Sequence, residues 1–164
     1  MSWFKTLPLL LLLLTLTACS DFRVRTLSDR EYNQIAGIKV ATSSGRVGQI
    51  YTRQLKDQLM MNPGVTPTHT LNSGLSVSSA STLSVVGSSS TLKKMTMSVS
   101  FTLTNLATGE TELKDTISTN ATLGAVSSYY GQDESETQGQ ERLARLLADR
   151  VANRMQLFFI ARDN

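Results

Sequence analysis

Between residues 95 and 104 apolar and polar side chains alternate without a break. Met95, Met97, Val99, Phe101 and Leu103 fall on odd positions, and Thr96, Ser98, Ser100, Thr102 and Thr104 on even ones. A period of two puts one set on each face of a pleated strand, so this segment predicts a strand with one face in a core and one polar. Asn105 to Gly109 has the length of a hairpin loop, and Leu113, Ile117, Ala121 and Leu123 continue the alternation on a return strand. Upstream, Leu75, Val77, Leu83 and Val85 also take odd positions among serines. The pattern lapses from Ser78 to Thr82, which predicts a bulge or bend. From Arg46 the period changes: Val47, Tyr51, Leu55 and Leu59 recur every four residues with Ile50 beside them, opposite Gln49, Arg53, Lys56 and Asp57. That is an amphipathic helix, expected to end near Asn62-Pro63-Gly64. Ahead of it lie a polar leader, Phe22 to Gln34, and a short strand, Ile38-Lys39-Val40-Ala41, with Gly45 and Gly48 at its exit.

Gly124 to Gly131 reads as a connector. Ser135-Glu136-Thr137-Gln138 then offers a capping box, in which serine and glutamine satisfy exposed backbone donors. A helix follows, with Leu143, Leu147, Val151, Met155 and Phe158 or Phe159 as its stripe. Arg142, Arg145, Asp149 and Arg154 point elsewhere. The order strand, helix, three strands, helix predicts an α+β domain over residues 35–164. Two helices would pack on one face of a small, mostly antiparallel, mixed four-stranded sheet, because each amphipathic face then finds one partner layer.

The amino terminus is of a different kind. Lys5 precedes six consecutive leucines, Leu9 to Leu14, and Leu16-Thr17-Ala18-Cys19 places the chain's single cysteine after small residues. A charged start, an apolar core and a small-residue cleavage site make a secretory signal, and a cysteine after the cut adds a lipidation site. The apolar run of about a dozen residues is short of the roughly 20 that span a bilayer. Residues 1–18 are therefore expected to leave as a lipoprotein signal peptide, and residues 19–34 to form a lipidated leader. Acyl chains such as palmitate on Cys19 would hold the membrane, each buried methylene contributing about 0.8 kcal/mol. In bacterial lipoproteins an aspartate directly after the cysteine favours retention in the inner membrane. Here Ser20 stands there, so the periplasmic side of the outer membrane is expected.

Lys5 leaves with the signal and the net charge falls from +3 to +2, without the concentrated basic face of a nucleic-acid-binding domain. From Asp57 to Glu110 the only lysines or arginines are Lys93 and Lys94, and the rest is dominated by Ser, Thr, Val and Leu. With His69 the only histidine, neither a histidine-pair metal site nor a cysteine-histidine dyad can be assembled. It lies in a Pro/Thr-rich stretch expected to be a solvated turn. Ser90-Thr91-Leu92-Lys93 matches the serine-x-x-lysine spacing of penicillin-binding enzymes but lacks their companion motifs. Gly45-Arg46-Val47-Gly48 lacks the spacing and the lysine of a phosphate-binding loop and reads as a helix start. Met95 and Met97, two apart on a strand, read as packing. No catalytic residue, no metal site and no cofactor beyond the covalent lipid is expected.

The lipobox, the short strand, the helix Gly48-Gln49-Ile50-Tyr51-Thr52-Arg53-Gln54-Leu55, the Ser/Thr-rich strand pair and the Tyr129 link into Glu141-Arg142-Leu143-Ala144 follow one another in a particular order. In that order the chain resembles the LPS-assembly lipoprotein family LptE, above all its alphaproteobacterial branch. The resemblance is most specific over Ile38 to Leu59 and Ser128 to Leu157. It implies a lipoprotein that sits in the lumen of a large outer-membrane β-barrel of the LptD type, assists its assembly, and takes part in moving lipopolysaccharide to the surface. Many relatives carry a glycine-aromatic pair after the cysteine, where this chain has Ser20-Asp21-Phe22-Arg23. Enterobacterial relatives carry a basic residue linked to lipopolysaccharide binding at the second-to-third strand turn. The matching stretch Val86 to Ser90 has none, and Lys93 and Lys94 are the nearest positive charges. Those two lysines have two readings, a contact to lipopolysaccharide phosphate or a guard against edge-strand aggregation. The alternative to a barrel plug is an accessory lipoprotein of another envelope lipid-transport system, which should enclose a sizeable apolar pocket.

Overall fold

A computed structural model describes residues 29–62, 64–84, 91–124 and 128–162. Among these residues three helices lie with a four-stranded sheet in the order α1 (Asp29–Ala36), β1 (Ile38–Val40), α2 (Gly45–Gln58), β2 (His69–Ser84), β3 (Thr91–Asn105), β4 (Thr111–Leu123) and α3 (Tyr129–Arg162). The sheet order is β1-β2-β3-β4, with β1 parallel to β2 and the other pairs antiparallel. The α+β class and the mixed sheet are as the alternation indicates.

Register explains how one face becomes core. Leu71 pairs with Leu103 and Leu103 with Leu113, Val99 with Leu75 and Ile117, and Met95 with Ala121, so odd-numbered side chains of three strands share a face. On β3 that face is sealed: Met95, Met97, Val99, Phe101 and Leu103 are all buried. Tyr51 and Leu55 of α2 and Leu143, Leu147, Val151, Met155 and Phe159 of α3 close over it. Helix α3 runs antiparallel to β4, as three bonds record along its length. Arg150 Nη1 donates to the Ser118 carbonyl (3.1 Å), Arg154 Nε to Asp115 (2.9 Å) and Arg162 Nη1 to Glu112 (2.8 Å). At about 1.5 Å per helical and about 3.4 Å per strand residue, the bonded stretches, Arg150 to Arg162 and Ser118 to Glu112, match in length.

Helix α2 needs its glycines for two separate reasons. Gly45 has φ +75, a left-handed value that a glycine adopts without strain. A Cβ on Gly48 would stand 2.8 Å from the carbonyl carbon of Ser43, so the chain entering the helix can pass only a glycine. The other end closes at Gln58, earlier than the Asn62-Pro63-Gly64 signal indicates. Met60 takes φ 49, its N–H donates to the Asp57 carbonyl, and the Met61 N–H donates to Lys56. This is a Schellman closure with methionine in the place glycine usually holds.

Four features depart from the sequence reading. The segment expected to be a polar leader up to Gln34 contains α1, which buries Glu31, Ile35 and Ala36. Helix α3 starts at Tyr129, inside the expected connector, because Ser128 Oγ accepts the Gly131 N–H (3.1 Å) and caps it there. Gln138, the expected capping-box partner, instead donates to Glu134 one turn back (2.8 Å). His69 is not solvated: it is 4% exposed on β2, between Thr68 Oγ1 (2.8 Å), Glu112 Oε2 (3.2 Å) and the edge-on ring of Phe159. In β2 the lapse in alternation is a bulge, where the register with β3 slips between Ser81 and Leu83. Val85 and Ser90 lie outside the described residues.

Candidate functional surface

The sheet face opposite the helices is open. Its cross-strand rows read Asn72–Thr102–Lys114, Gly74–Ser100–Thr116, Ser76–Ser98–Ser118, Ser78–Thr96–Asn120 and Ala80–Lys94–Thr122. Every one of these residues is exposed or half-exposed, and only the two lysines are charged. Short hydroxyl and amide side chains at alternate positions on three long strands make a continuous polar wall. Ser100 and Thr116 already share a hydrogen bond across it (3.0 Å).

The lysines singled out by the sequence part company here. Lys93 is on the helix side, where its ammonium bonds Glu136 Oε1 of α3, and Gln132 Nε2 donates to the same oxygen (3.3 Å). The Lys93 hydrogen bond holds the Glu136 carboxyl below the usual carboxylate range, against the opposing effect of burial. Lys94, the next residue, points to the open face and is exposed. Both stand on β3, flanked by β2 and β4, so the reading as edge-strand guards falls: neither is on an edge.

Around the same end, an open cleft of about 690 Å³ lies between the start of α2, the first half of α3 and the end of β4. Arg46, Arg142 and Arg145 line it with Glu134 and Glu141. Glu141 is clasped by Arg46 Nη2 (2.8 Å) on one oxygen and Arg145 Nη2 (3.3 Å) on the other. Sequence reasoning missed this group. Arg142 and Arg145 read as a solvated helix face, and only the tertiary fold brings Arg46 beside them. A second cleft, along β1 and lined mainly by apolar groups from Ala36, Ile38, Met61 and Val65, holds about 260 Å³. That is below the roughly 300–1,000 Å³ of small-molecule sites.

Over residues 32–155 the chain matches the family model of LptE, lipopolysaccharide-assembly. The protein belongs to the LptE family. No curated protein matches the chain by sequence. Among the solved structures that share its fold are two lipoproteins. A Caulobacter crescentus protein described as a lipoprotein is 20% identical with a TM-score of 0.63, aligned over 80% of this chain and 96% of that one. A minor lipoprotein from Acinetobacter baumannii is 13% identical with a TM-score of 0.55, over 73% and 88%.

Among the site residues read from the sequence of this LptE-family chain, Cys19 lies outside the described residues, as does Ser90 of the serine-x-x-lysine match. Lys93 of that match is engaged with Glu136, and Thr91 and Leu92 are part of β3. Met95 and Met97 are core, at 1% and 0% exposure.

Proposed function

We propose that this protein is a lipid-anchored, non-enzymatic subunit on the periplasmic side of the outer membrane. In this reading it fills the lumen of a large LptD-type β-barrel, assists that barrel's assembly, and so serves the passage of lipopolysaccharide to the cell surface. Membership of a lipopolysaccharide-assembly family supports the process. The observation that supports the role within it is the open sheet face. The lumen of a wide outer-membrane barrel is polar. An occupant therefore has to present polar groups without many uncompensated charges, and the Ser/Thr/Asn rows of β2, β3 and β4 do so with Lys94 and Lys114 as their only ions. A free-standing lipid carrier would need a large apolar cavity, whereas the apolar cleft beside β1 is small.

The anchor is Cys19, acylated after removal of residues 1–18. Lys94, exposed and unburdened by the Glu136 contact that holds Lys93, is the one of the two lysines placed to meet a lipopolysaccharide phosphate. Depleting the protein should leave the barrel misassembled and lipopolysaccharide stranded short of the surface. A Cys19→Ala variant should leave the membrane fraction. Normal barrel assembly and surface lipopolysaccharide after depletion would refute the role, and equal fatty-acid labelling of Cys19→Ala and parent would refute the anchor.

A further inference from the structure

The two long edges of the sheet are treated differently. Strand β4 carries Glu112, Lys114 and Asp115 along its outer edge, and Arg154 and Arg162 of α3 reach over to bond both of the acids. Charges of this kind discourage another strand from adding on. The β2 edge has no such device: from Asn72 to Ser84 it contains no charged residue and no proline.

The hydrogen bonds say which groups of β2 face outward. Leu71 O accepts the Ala41 N–H (3.0 Å), and Ser73 O accepts the Ser43 hydroxyl (3.2 Å). Outward groups are therefore those of odd residues, the even ones bonding β3. Strand β1 pairs β2 only from His69 to Leu71. Beyond Ser73, among the described residues, nothing bonds the outward N–H and C=O of Leu75, Val77, Ser79 and Ser81. The ladder to β3 then slips at the bulge after Ser81, which marks the far limit of the site. Two of the four residues are apolar and incompletely covered: Leu75 is half-buried and Val77 is 43% exposed.

We propose that the outer edge of β2 from Leu75 to Ser81 is a strand-pairing site for an extended, uncharged segment of a different protein. Alternating outward donors and acceptors are met in full only by another extended backbone. The segment's own alternate residues would be apolar opposite Leu75 and Val77, and small and polar on the other side, where they extend the hydroxyl wall. A second copy of this chain fits poorly. Two-fold antiparallel self-pairing that uses the whole free edge is centred on Ser78, and it sets Leu75 against Ser81 and Val77 against Ser79. Both apolar side chains would then face serine. The inference stands apart from the barrel reading, since a closed barrel wall has no free edge of its own. The pairing segment would come from a stretch outside any barrel ladder.

A photo-crosslinking residue at position 79, introduced in intact cells, tests this. The expected result is one heteromeric adduct that maps to an extended segment of its partner. Val77→Pro removes one outward N–H and leaves the β3 ladder intact, so it should lower the adduct roughly fivefold or more, the worth of about one hydrogen bond. Val77→Lys, which puts a charge on the edge, should do the same. Slow amide exchange at Ser76 and Ser78 in the purified variants reports that β2 is still paired to β3. An adduct of twice the chain's mass, no adduct beyond that from a probe at the exposed Asn153 of α3, or an adduct unchanged in the folded variants would each overturn the proposal. An adduct with a protein that is not a barrel would support it while counting against the barrel as the supplier of the segment.

Discussion

Phe101→Ala removes the one aromatic ring on β3, the strand held on both sides by its neighbours. The ring is 2% exposed, on the face that α2 and α3 cover. Two costs add. Returning most of a buried phenylalanine side chain to water forfeits about 2–3 kcal/mol. The space left behind cannot collapse freely, because the flanking residues Ser73 and Asp115 are fixed by the ladder, and a residual cavity adds about 1–2 kcal/mol. The sum is about 3–5 kcal/mol. Urea unfolding of the acyl-free domain, followed by circular dichroism, reads it directly. With a slope of about 1.5–2 kcal/mol per molar, the midpoint should fall by roughly 2 M. Leu157→Ala serves as comparison, since Leu157 is 59% exposed on α3, and it should change stability by less than about 0.5 kcal/mol. Equal midpoints for parent and Phe101→Ala would remove Phe101 from the core and with it the assignment of odd residues to the inner face.

Three further perturbations follow from the charges and polar groups. Burial pushes the Tyr51 hydroxyl up to about 12, only partly offset by its hydrogen bond to Ser73 Oγ (3.1 Å). The folded form thus holds this proton more tightly than the unfolded form, whose pKa is about 10. Its contribution should be whole below about pH 10 and lost as pH rises toward 12, and Tyr51→Phe should flatten that decline in a pH series of unfolding midpoints. A parent midpoint that stays level from pH 9.5 to 12 would contradict the burial. Lys94→Glu should reduce lipopolysaccharide binding while leaving the folded domain and its co-purification with the barrel unchanged. Lys93→Glu is a different perturbation, because it sets two carboxylates against each other at Glu136 and should lower stability. Equal lipopolysaccharide binding by Lys94→Glu and parent would leave Lys94 without that role.

The sequence was most legible where one physical cause acts over many residues. Alternation from Met95 to Leu103 survives because a single strand has core on one side and solvent on the other for its whole length. The stripe from Leu143 to Phe159 survives for the same reason at period 3.6. Legibility failed where a few distant atoms decide. Helix α1 spans eight residues and owes its place to packing of Ile35 and Ala36, too short a stretch to show a period. The start of α3 turns on one serine hydroxyl at Ser128, which a stronger-looking motif at Ser135 obscured. His69 is buried because Phe159, Glu112 and Thr68 converge on it, and two of those three are more than 40 residues away. Arg46 meets Glu141 across 95 residues, so no local spacing could have placed it in the same cleft as Arg142 and Arg145. Lys93 and Lys94 were found as charges in a neutral stretch. Which of them is engaged and which is exposed depends on strand parity together with the position of Glu136.

Affinity purification of the full-length lipoprotein from outer membranes in mild detergent tests the barrel role most directly. The expected result is recovery of one large β-barrel in a stable complex, in which polar probes on the open face at Thr96, Ser98 and Thr116 become shielded. Recovery of the protein without a barrel, or a barrel complex that leaves those three positions as accessible as in the isolated domain, would contradict the account.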